Sequence, residues 1–331
     1  MPKISVIIPV RNRKEYTRNI LSQIFNQIAQ TQNSILAIYI IVVDDGSTDG
    51  TKELIKTQFP SIYLIEGDGS LWWTGAIVKG MQYAIEHLET DYFVWLNDDI
   101  FLLEGFILNL TKICLSSSYK TTIVGGIVRD RTYTDWIVYG GIENRKPISH
   151  INRFRSCSEV KVDLLCGNIV VIPRIVADTI GLPNAVKLPH HGSDYMYIMA
   201  AKKAGFEAIL TERLQATTDY QIEDFVRYMP YWIQWYLQPD LSKRWKIVKG
   251  LVSLKSNQNI WMIVNTHSSN RDSQNTPAWK YLFCYFNKLF RLLAIDFFPK
   301  KKLESRIKDY FLSQSPPQAI IDEIVHLRKL R

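Results

Sequence analysis

The sequence predicts an α/β domain built on a mostly parallel sheet flanked by helices, followed by a helical, basic C-terminal extension. Apolar, β-branched runs alternate with helical patterns through the first part of the chain, and two of those runs end in adjacent aspartates. Charge divides the chain as well: residues 1–226 hold 22 Lys and Arg against 25 Asp and Glu, whereas residues 227–331 hold 18 against 7. We therefore expect an α/β domain over residues 1–220 and a mainly helical, basic and aromatic extension over residues 221–331.

Four apolar segments separated by helical patterns predict a βαβαβαβ order in the first part of the chain. This order implies parallel strands joined by right-handed crossovers, and ligands of such sheets bind beyond the carboxyl ends of the strands. The predicted strands are Lys3–Pro9, Ala37–Val43, Ser61–Ile65 and Tyr92–Leu96. The predicted helices are Glu15–Gln27, a helix through Leu54 and Ile55 capped by Ser47 or Thr48, and Gly75–Leu88.

The pattern is looser beyond the fourth strand. Strands are predicted at Thr122–Val128 and Trp136–Tyr139, with a loop over Gly140–Arg155. Val160–Pro173 predicts two strands around a turn at Cys166-Gly167-Asn168. Helices at Arg174–Ile180 and His190–Ala204 and a last strand at Phe206–Leu210 complete the domain, and the chain becomes mostly helical from about residue 225.

Two pairs of adjacent aspartates, Asp44-Asp45 and Asp98-Asp99, follow predicted strands and so fall on one edge of the sheet. A carboxylate there can accept a hydrogen bond from a base or a ribose hydroxyl, although an aspartate that only caps the next helix explains the first pair equally well. Adjacent carboxylates repel each other, and a divalent ion removes the repulsion. Asp98 and Asp99 therefore predict a Mg²⁺ or Mn²⁺ site with free coordination for phosphate, the alternative being a solvated turn.

Two further segments carry candidate site residues. In His190–Tyr195 a glycine turn precedes Asp194, which would stay ionised near a helix N-terminus and act as a general base; an ordinary helix-terminal acid is the alternative. The neighbouring histidines are ligands, substrate contacts or packing residues. Between Gly67 and Gly75, Trp72 and Trp73 predict stacking on a sugar or a base, or else a hydrophobic cover on the sheet edge.

Taken together, these segments resemble the family 2 glycosyltransferases of the GT-A fold, over roughly residues 3–215. The matching stretches are S-V-I-I-P-V-R-N, V-V-D-D-G-S-T-D-G-T, N-D-D in place of the family's D-x-D, G-N-I-V-V-I-P-R and H-H-G-S-D-Y-M-Y. The stretch G-D-G-S-L-W-W-T-G-A is similar to a bacterial subgroup, several of whose members build surface polysaccharides.

The resemblance implies a role for each matching residue. Asp194 would be the catalytic base, and Asp99 with Asp98 would hold the Mn²⁺ or Mg²⁺ that bridges the donor diphosphate. The residues expected around the nucleotide are Pro9, Arg11, Asp44, Asp45 and Asp98, and those expected around the donor sugar and the acceptor are Trp72, Trp73, Gly75 and His191.

The implied reaction is a single displacement with inversion, from a nucleoside-diphosphate sugar to a hydroxyl of a glycan or a lipid-linked glycan. By resemblance the first choice of donor is dTDP-rhamnose, with UDP-sugars and galactofuranose, glucose or an amino sugar left open. Three departures from the family pattern stand out. Ser193 replaces one acid of the base motif, Val78 stands where an Asn is common, and the histidine often found beyond the last strand is missing unless His267 replaces it.

Two other functions are alternatives to a glycosyltransferase. A sugar nucleotidyltransferase usually opens with a glycine-rich loop, whereas Pro9-Val10-Arg11-Asn12 contains no glycine. An inactive family member could serve as a nucleotide-binding scaffold, but it would have no need of both the Asp98-Asp99 pair and Asp194. The sequence favours the enzyme.

The extension is aromatic and basic. Trp279–Phe298 is apolar but interrupted by Lys280, Lys288, Arg291 and Asp296, which excludes a membrane span and is typical of an amphipathic helix on an anionic membrane surface. An ordinary helical cap on the core is the alternative, and nucleic-acid binding is not expected because no nucleic-acid motif accompanies the charge.

The expected location is the cytoplasm, with possible contact to the inner face of the cell membrane. The four cysteines show no C-x-x-C spacing, which favours a reducing compartment. The chain begins with a strand pattern almost at once, and no signal peptide is predicted.

Overall fold

A computed structural model describes residues 2–31, 37–238, 240–267 and 276–329. The strands of this part of the chain are β1 Lys3–Val10, β2 Ala37–Asp44, β3 Tyr63–Glu66, β4 Tyr92–Leu96, β5 Phe101–Leu102, β6 Thr122–Asp130, β7 Ile137–Tyr139, β8 Gly141–Glu143, β9 Lys146–Pro147, β10 Glu159–Lys161, β11 Leu164–Leu165, β12 Ile169–Pro173 and β13 Glu207–Thr218.

Helices cover most of the remaining described residues. They are α1 Lys14–Gln30, α2 Thr51–Gln58, α3 Trp72–His87, α4 Phe106–Leu115, α5 Arg174–Ile180, α6 Ser193–Lys203, α7 Ile222–Tyr228, α8 Tyr231–Leu237, α9 Leu241–Gly250, α10 Ile260–His267, α11 Ala278–Ala294, α12 Lys300–Gln314 and α13 Gln318–Lys329. Short 3₁₀ helices lie at Ser117–Tyr119, Ile151–Phe154 and Ile295–Phe297.

The chain forms two compact units, Met1–Ala185 with Ser193–Asp219, and Val186–Gly192 with Tyr220–Arg331. The first unit contains the main sheet, whose strand order is β10-β13-β6-β12-β4-β1-β2-β3. Strands β4, β1, β2 and β3 are mutually parallel, as the βαβ pattern predicts, and β12 runs antiparallel to both β4 and β6. The carboxyl ends of β1, β2 and β4 therefore meet at one edge of the sheet.

The core lies on both faces of this sheet, which confirms the prediction of strands buried on both sides. Alternate residues of β1 point to opposite faces: Val6 and Ile8 pack with α1 and α4 on one face, and Ile7 packs with α3 and α6 on the other. Because both faces are covered, only the strand ends and the loops that follow them are open to a ligand.

Several predicted elements differ from the observed ones. Helix α2 is not capped by Ser47 or Thr48; its N-cap is Gly50 at φ +85°, and Asp49 accepts a hydrogen bond from the Thr51 N–H at 3.1 Å. Helix α3 begins three residues early, at Trp72, and α6 begins at Ser193 rather than at His190. The expected loop over 140–155 contains β8 and β9, which form a small antiparallel sheet with β11, and β13 is longer than predicted.

The second unit is helical, as predicted. Its apolar cluster contains Tyr231 and Trp235 of α8, Ile247 and Val248 of α9, and Leu292 of α11, among others. In the described part of the chain no helix combines the length and the apolarity needed to cross a membrane.

Gly80 lets α3 lie close to β1, because a Cβ atom at this position would come within 2.5 Å of Ile7 Cγ2. Ile7 is fully buried, so it has little room to move. We expect Gly80→Val to lower the free energy of unfolding by about 2 kcal/mol through overpacking. Urea denaturation measures it. In an Ile7→Ala background the cost of Gly80→Val should shrink, whereas an equal cost in both backgrounds would show that this contact is not the cause.

Candidate active site

The first acidic pair lies where β2 ends. Asp44 and Asp45 are each 3% exposed. The Asp45 N–H donates to the Val10 carbonyl at 2.9 Å, which ties the strand end of β2 to that of β1. Asp44 Oδ1 accepts the Ser47 N–H at 2.9 Å and so shapes the turn into the next loop. The pair is buried at the edge where the sequence predicts it.

Asp45 holds the tryptophan loop, which we define as residues 67–71 together with Trp72 and Trp73, the first two residues of α3. Its Oδ1 atom accepts the N–H groups of Gly69 at 2.8 Å and Leu71 at 3.1 Å, and its Oδ2 atom accepts the Trp72 N–H at 3.1 Å. Both carboxylate oxygens therefore have partners within the protein. The structure gives Asp45 a positioning role that sequence reasoning missed, while its contact with a nucleoside stays a prediction.

Arg11 and Pro9 lie beside this loop and strand end. The Arg11 guanidinium donates to the Gly69 carbonyl, and its Nη1 atom is 3.8 Å from Asp45 Oδ2. The side chain is 49% exposed, so much of it stays accessible to a ligand. Pro9 pairs in register with Val43 of β2. The loop needs its glycines, because a Cβ atom at Gly67 would come within 2.7 Å of Asp45 Oδ1.

The second acidic pair follows β4 and faces Arg13, a residue that the sequence analysis missed. Asp98 is 5% exposed. Arg13 Nε lies 3.1 Å from Asp98 Oδ1, and Arg13 Nη2 lies 3.1 Å from Asp99 Oδ2. A single guanidinium therefore spans both carboxylates. The sequence does contain a signal for this residue: Arg13 is a second arginine, two positions after Arg11, at the end of the first βα connection.

Charge compensation at this pair is incomplete. Burial raises the pKa of Asp98 to about 7, with the Asp99 charge adding to the increase and the Arg13 charge opposing it. Asp98 Oδ2 and Asp99 Oδ1 are buried and make no hydrogen bond within the described residues. Two buried carboxylate oxygens without partners are a chemically suitable pair of ligands for a divalent ion.

This pair does not form a complete protein cage for a metal. Within the residues that the structure describes, no group of three or more His, Cys, Asp or Glu side chains could hold an ion. An ion at Asp98 and Asp99 would take its other ligands from water or from a bound anion, as Mg²⁺ does in many phosphate sites. The residues fit a metal that shares its coordination with a diphosphate.

A chain of contacts connects the end of β4 to Asp194. The Trp73 indole N–H donates to Asn97 Oδ1 at 2.9 Å, and the Trp73 ring lies against Gly167, where a Cβ atom would be 2.6 Å from the ring. The Gly167 N–H in turn donates to Asp194 Oδ2 at 2.9 Å. Beneath them Trp73 meets Trp95 edge to face, with ring centroids 5.5 Å apart. The structure therefore brings Trp73 and Asp194, two predicted site residues, together at Gly167.

Asp194 lies in the first turn of α6 and is partly buried. Burial raises the pKa of its carboxyl, and hydrogen bonds from the N–H groups of Tyr195 and Gly167 limit the increase. A carboxylate with a raised pKa is a stronger base than an exposed one, so the environment suits the predicted proton acceptor.

The remaining predicted residues lie at the start of α3 and in the second unit. Trp72 has φ +55°, and Gly75 is buried against Leu71 in the first turn of α3. His191 belongs to the second unit, where its ring nitrogen Nε2 is 3.1 Å from the Lys255 carbonyl. Burial lowers the pKa of both His191 and His190, the latter to about 4. The side chain of His267 lies outside the described part of the structure.

Known proteins are similar to this chain in sequence and in fold. Residues 5–163 match the family model described as Glycosyl transferase family 2. An uncharacterised glycosyltransferase of Rickettsia typhi is 26% identical over 252 residues, which cover 70% of each chain. Another, from Rickettsia prowazekii, is 26% identical over 250 residues with the same coverage.

Two solved structures are similar in fold. GalNAc-T7 with UDP, GalNAc and Mn²⁺ superposes with a TM-score of 0.51 at 14% identity, over 81% of this chain and 58% of that chain. The mannosyltransferase PcManGT from Pyrobaculum calidifontis, in complex with GDP-Man and Mn²⁺, gives a TM-score of 0.48 at 13% identity, over 95% of this chain and 86% of that chain.

The first unit, with acidic residues at the carboxyl edge of its sheet, has the GT-A fold. Residues 5–163 are similar to the family 2 glycosyltransferases, and the Rickettsia relatives are similar to this chain over 70% of its length.

We expect Asp45→Ala to release the tryptophan loop, because three backbone N–H groups lose their acceptor. Hydrogen exchange at Gly69, Leu71 and Trp72 should become at least tenfold faster, about the factor that 1.4 kcal/mol of lost protection gives. Asp68→Ala is the control, since the Asp68 side chain accepts from Ser70 within the same loop. Equal exchange rates in Asp45→Ala and the unmodified chain would show that Asp45 does not hold the loop.

Proposed function

We propose that the chain transfers a sugar from a nucleoside-diphosphate donor to an acceptor hydroxyl, with a divalent metal and with inversion at the anomeric carbon. The observation that supports this most strongly is the Asp98-Asp99 pair, which has buried, unpartnered oxygens at the carboxyl edge of the sheet. Ligands of open α/β sheets bind at this edge. The proposed catalytic domain spans residues 1–220, and the proposed extension spans residues 221–331.

Asp98 and Asp99 are the proposed ligands of Mn²⁺ or Mg²⁺. When bound there, the ion would neutralise negative charge that grows on the leaving diphosphate. GalNAc-T7, which is similar in fold, contains Mn²⁺ together with UDP, and this supports the choice of a divalent ion. Arg13 holds the two carboxylates together and supplies a fixed positive charge on their protein side.

Residues at the ends of β1 and β2 form the proposed nucleotide side of the site. Pro9, Arg11, Asp44 and Asp45 would surround the nucleoside. Arg11 is the most accessible of them, and its guanidinium provides donors for phosphate or ribose oxygens. Trp72, Trp73 and Gly75 would border the donor sugar, since Asp45 fixes the loop that carries both tryptophans.

Asp194 is the proposed base. Its carboxylate would take the proton from the acceptor hydroxyl as the oxygen attacks the anomeric carbon. One base on the face opposite the leaving group requires no covalent intermediate, so the product configuration is inverted. His191 is the proposed acceptor contact.

The proposed donor is a dTDP- or UDP-sugar, with rhamnose as the first choice, and the proposed role is in the assembly of a bacterial surface polysaccharide. The acceptor would be a glycan or a lipid-linked glycan, and the basic extension would contact the membrane that carries it. A nucleotide-binding scaffold without transfer activity is the competing function, and donor turnover separates the two.

We expect Mn²⁺ or Mg²⁺ and a nucleoside diphosphate to raise the melting temperature together by more than the sum of their separate effects. The reason is that each supplies ligands or charge that the other needs. A thermal-shift panel of UDP, dTDP, GDP and CDP with Mn²⁺ or with EDTA measures the effect. Asp99→Ala should remove the synergy.

Asp178→Ala is a matched control, because Asp178 is an exposed aspartate paired with Arg174 on α5. It should keep the synergy. A folded sample that responds to no diphosphate in the presence of metal would overturn the proposed site and make the scaffold the better explanation.

Asp194→Asn should lower kcat by a factor of about 10² to 10⁴, the range of general base catalysis, and should keep the metal–diphosphate thermal shift. In the unmodified enzyme kcat/KM should fall as the pH falls through the pKa of Asp194. That acid limb should lie above the ordinary aspartate pKa of about 3.9, because burial raises it. Rates measured at saturating metal test both statements.

The anomeric configuration of the product, read by NMR coupling constants, tests inversion independently. Retention of configuration would contradict a single displacement. A kcat of Asp194→Asn within threefold of the unmodified enzyme would remove Asp194 from the role of base.

A further inference from the structure

Helix α11 carries an apolar face that no described residue covers. The side chains on this face are between 50% and 73% exposed, and four of the six are aromatic. At 3.6 residues per turn they fall within about 100° of arc, so they form one continuous stripe along the helix. We call this stripe the aromatic face, and it consists of Trp279, Leu282, Phe283, Phe286, Phe290 and Leu293.

The opposite face of α11 fixes the helix in the second unit. Tyr281, Tyr285 and Leu292 pack into the apolar cluster of that unit, and the Tyr281 hydroxyl donates to Asn265 Oδ1 at 2.8 Å. Asp296, just beyond α11, accepts two hydrogen bonds from Arg244, at 2.8 and 3.0 Å. Rotating α11 to bury the aromatic face would break these contacts, so the exposure of that face is built into the fold.

The stripe continues past the end of the helix into a basic segment. Phe297 is 89% exposed and Phe298 is 43% exposed, and Lys300, Lys301 and Lys302 follow directly, all exposed. Lys280 and Arg291 are exposed beside the aromatic face itself. The sequence from 278 to 302 contains one acidic residue, Asp296, and this residue is paired with Arg244. Large apolar side chains are therefore bordered by exposed positive charge.

We infer that the aromatic face and Lys300–Lys302 form a surface that binds an anionic lipid membrane, with α11 lying in the plane of the interface. Aromatic and leucine side chains with lysines alongside are the pattern of helices that bury their apolar side at the level of the lipid headgroups. Each lysine near an anionic surface adds attraction. A second copy of the chain fits less well, because pairing two such faces would bring like charges together.

If the proposed function is right, this surface is where the enzyme would meet a lipid-linked acceptor. That link rests on the proposed function, whereas vesicle binding does not depend on the donor or on transfer. A vesicle assay and the metal–diphosphate thermal shift can therefore fail separately.

The experiment is flotation of the full-length protein with vesicles of phosphatidylcholine, alone or mixed with phosphatidylglycerol. We expect binding to the anionic vesicles and much weaker binding to phosphatidylcholine alone. Phe286→Ser with Phe290→Ser should lower the partition coefficient at least about tenfold, given the burial energy of two phenylalanines. Phe286→Leu with Phe290→Leu, which keeps the face apolar, should stay within about threefold of the unmodified protein.

A second set of variants tests the charge. Changing Lys300, Lys301 and Lys302 together to Gln should lower binding to anionic vesicles by about tenfold or more. Changing Lys112, Lys120 and Lys203 to Gln removes the same charge from exposed positions of the first unit and should have little effect. Brominated lipid quenches the fluorescence of tryptophans that enter the membrane. The quenching lost in Trp279→Phe is the part due to Trp279, and it reports directly whether this side chain inserts.

Three outcomes would overturn the inference. The first is that the unmodified protein floats with neither vesicle. The second is that the leucine and serine pairs bind equally. The third is a dimer in sedimentation velocity that the serine pair converts to a monomer while vesicle binding is unchanged, which would assign the face to a second copy.

Discussion

Buried negative charge at the carboxyl edge of the parallel strands is the constraint on which the site depends. Asp44, Asp45 and Asp98 are all at most 5% exposed there, and each requires compensation because a buried carboxylate without partners is costly. The protein supplies it differently at the two strand ends. Backbone N–H groups of the tryptophan loop satisfy Asp45, whereas Arg13 only partly satisfies Asp98 and Asp99. The first end is complete within the protein, and the second has capacity left for a ligand.

The regular part of the fold follows from local patterns. Continuous apolar runs of β-branched residues identify β1, β2 and β4, because strands covered on both faces need no polar alternation. The short β8 and β9 escape such reasoning, since strands of two or three residues have no measurable period. The extended part of β13 escapes it too, because Glu212, Arg213 and Gln215 interrupt the apolar pattern where the register shifts.

The candidate site is only partly readable from sequence for a similar reason. Acid pairs at strand ends are visible as motifs, and the structure places Asp98, Trp73 and Asp194 in the first unit around one edge of the sheet. Arg13 carries no motif of its own, and its position beside Asp98 and Asp99 depends on how the turn after β1 approaches the end of β4. The use of Asp45 as an anchor for Trp72 likewise depends on a contact between residues 27 positions apart.

The antiparallel direction of β12 has a mechanical consequence. Since β12 starts where β4 ends, the Asn97 N–H donates to the Asn168 carbonyl at 3.0 Å, and Asn97 also accepts the Trp73 indole. One short segment of backbone ladder thus carries Asp98 on one strand and the turn that holds Asp194 on the other. Hydrogen bonds within one unit therefore connect the positions of these two carboxylates. The distance between them is set by the fold before a substrate binds.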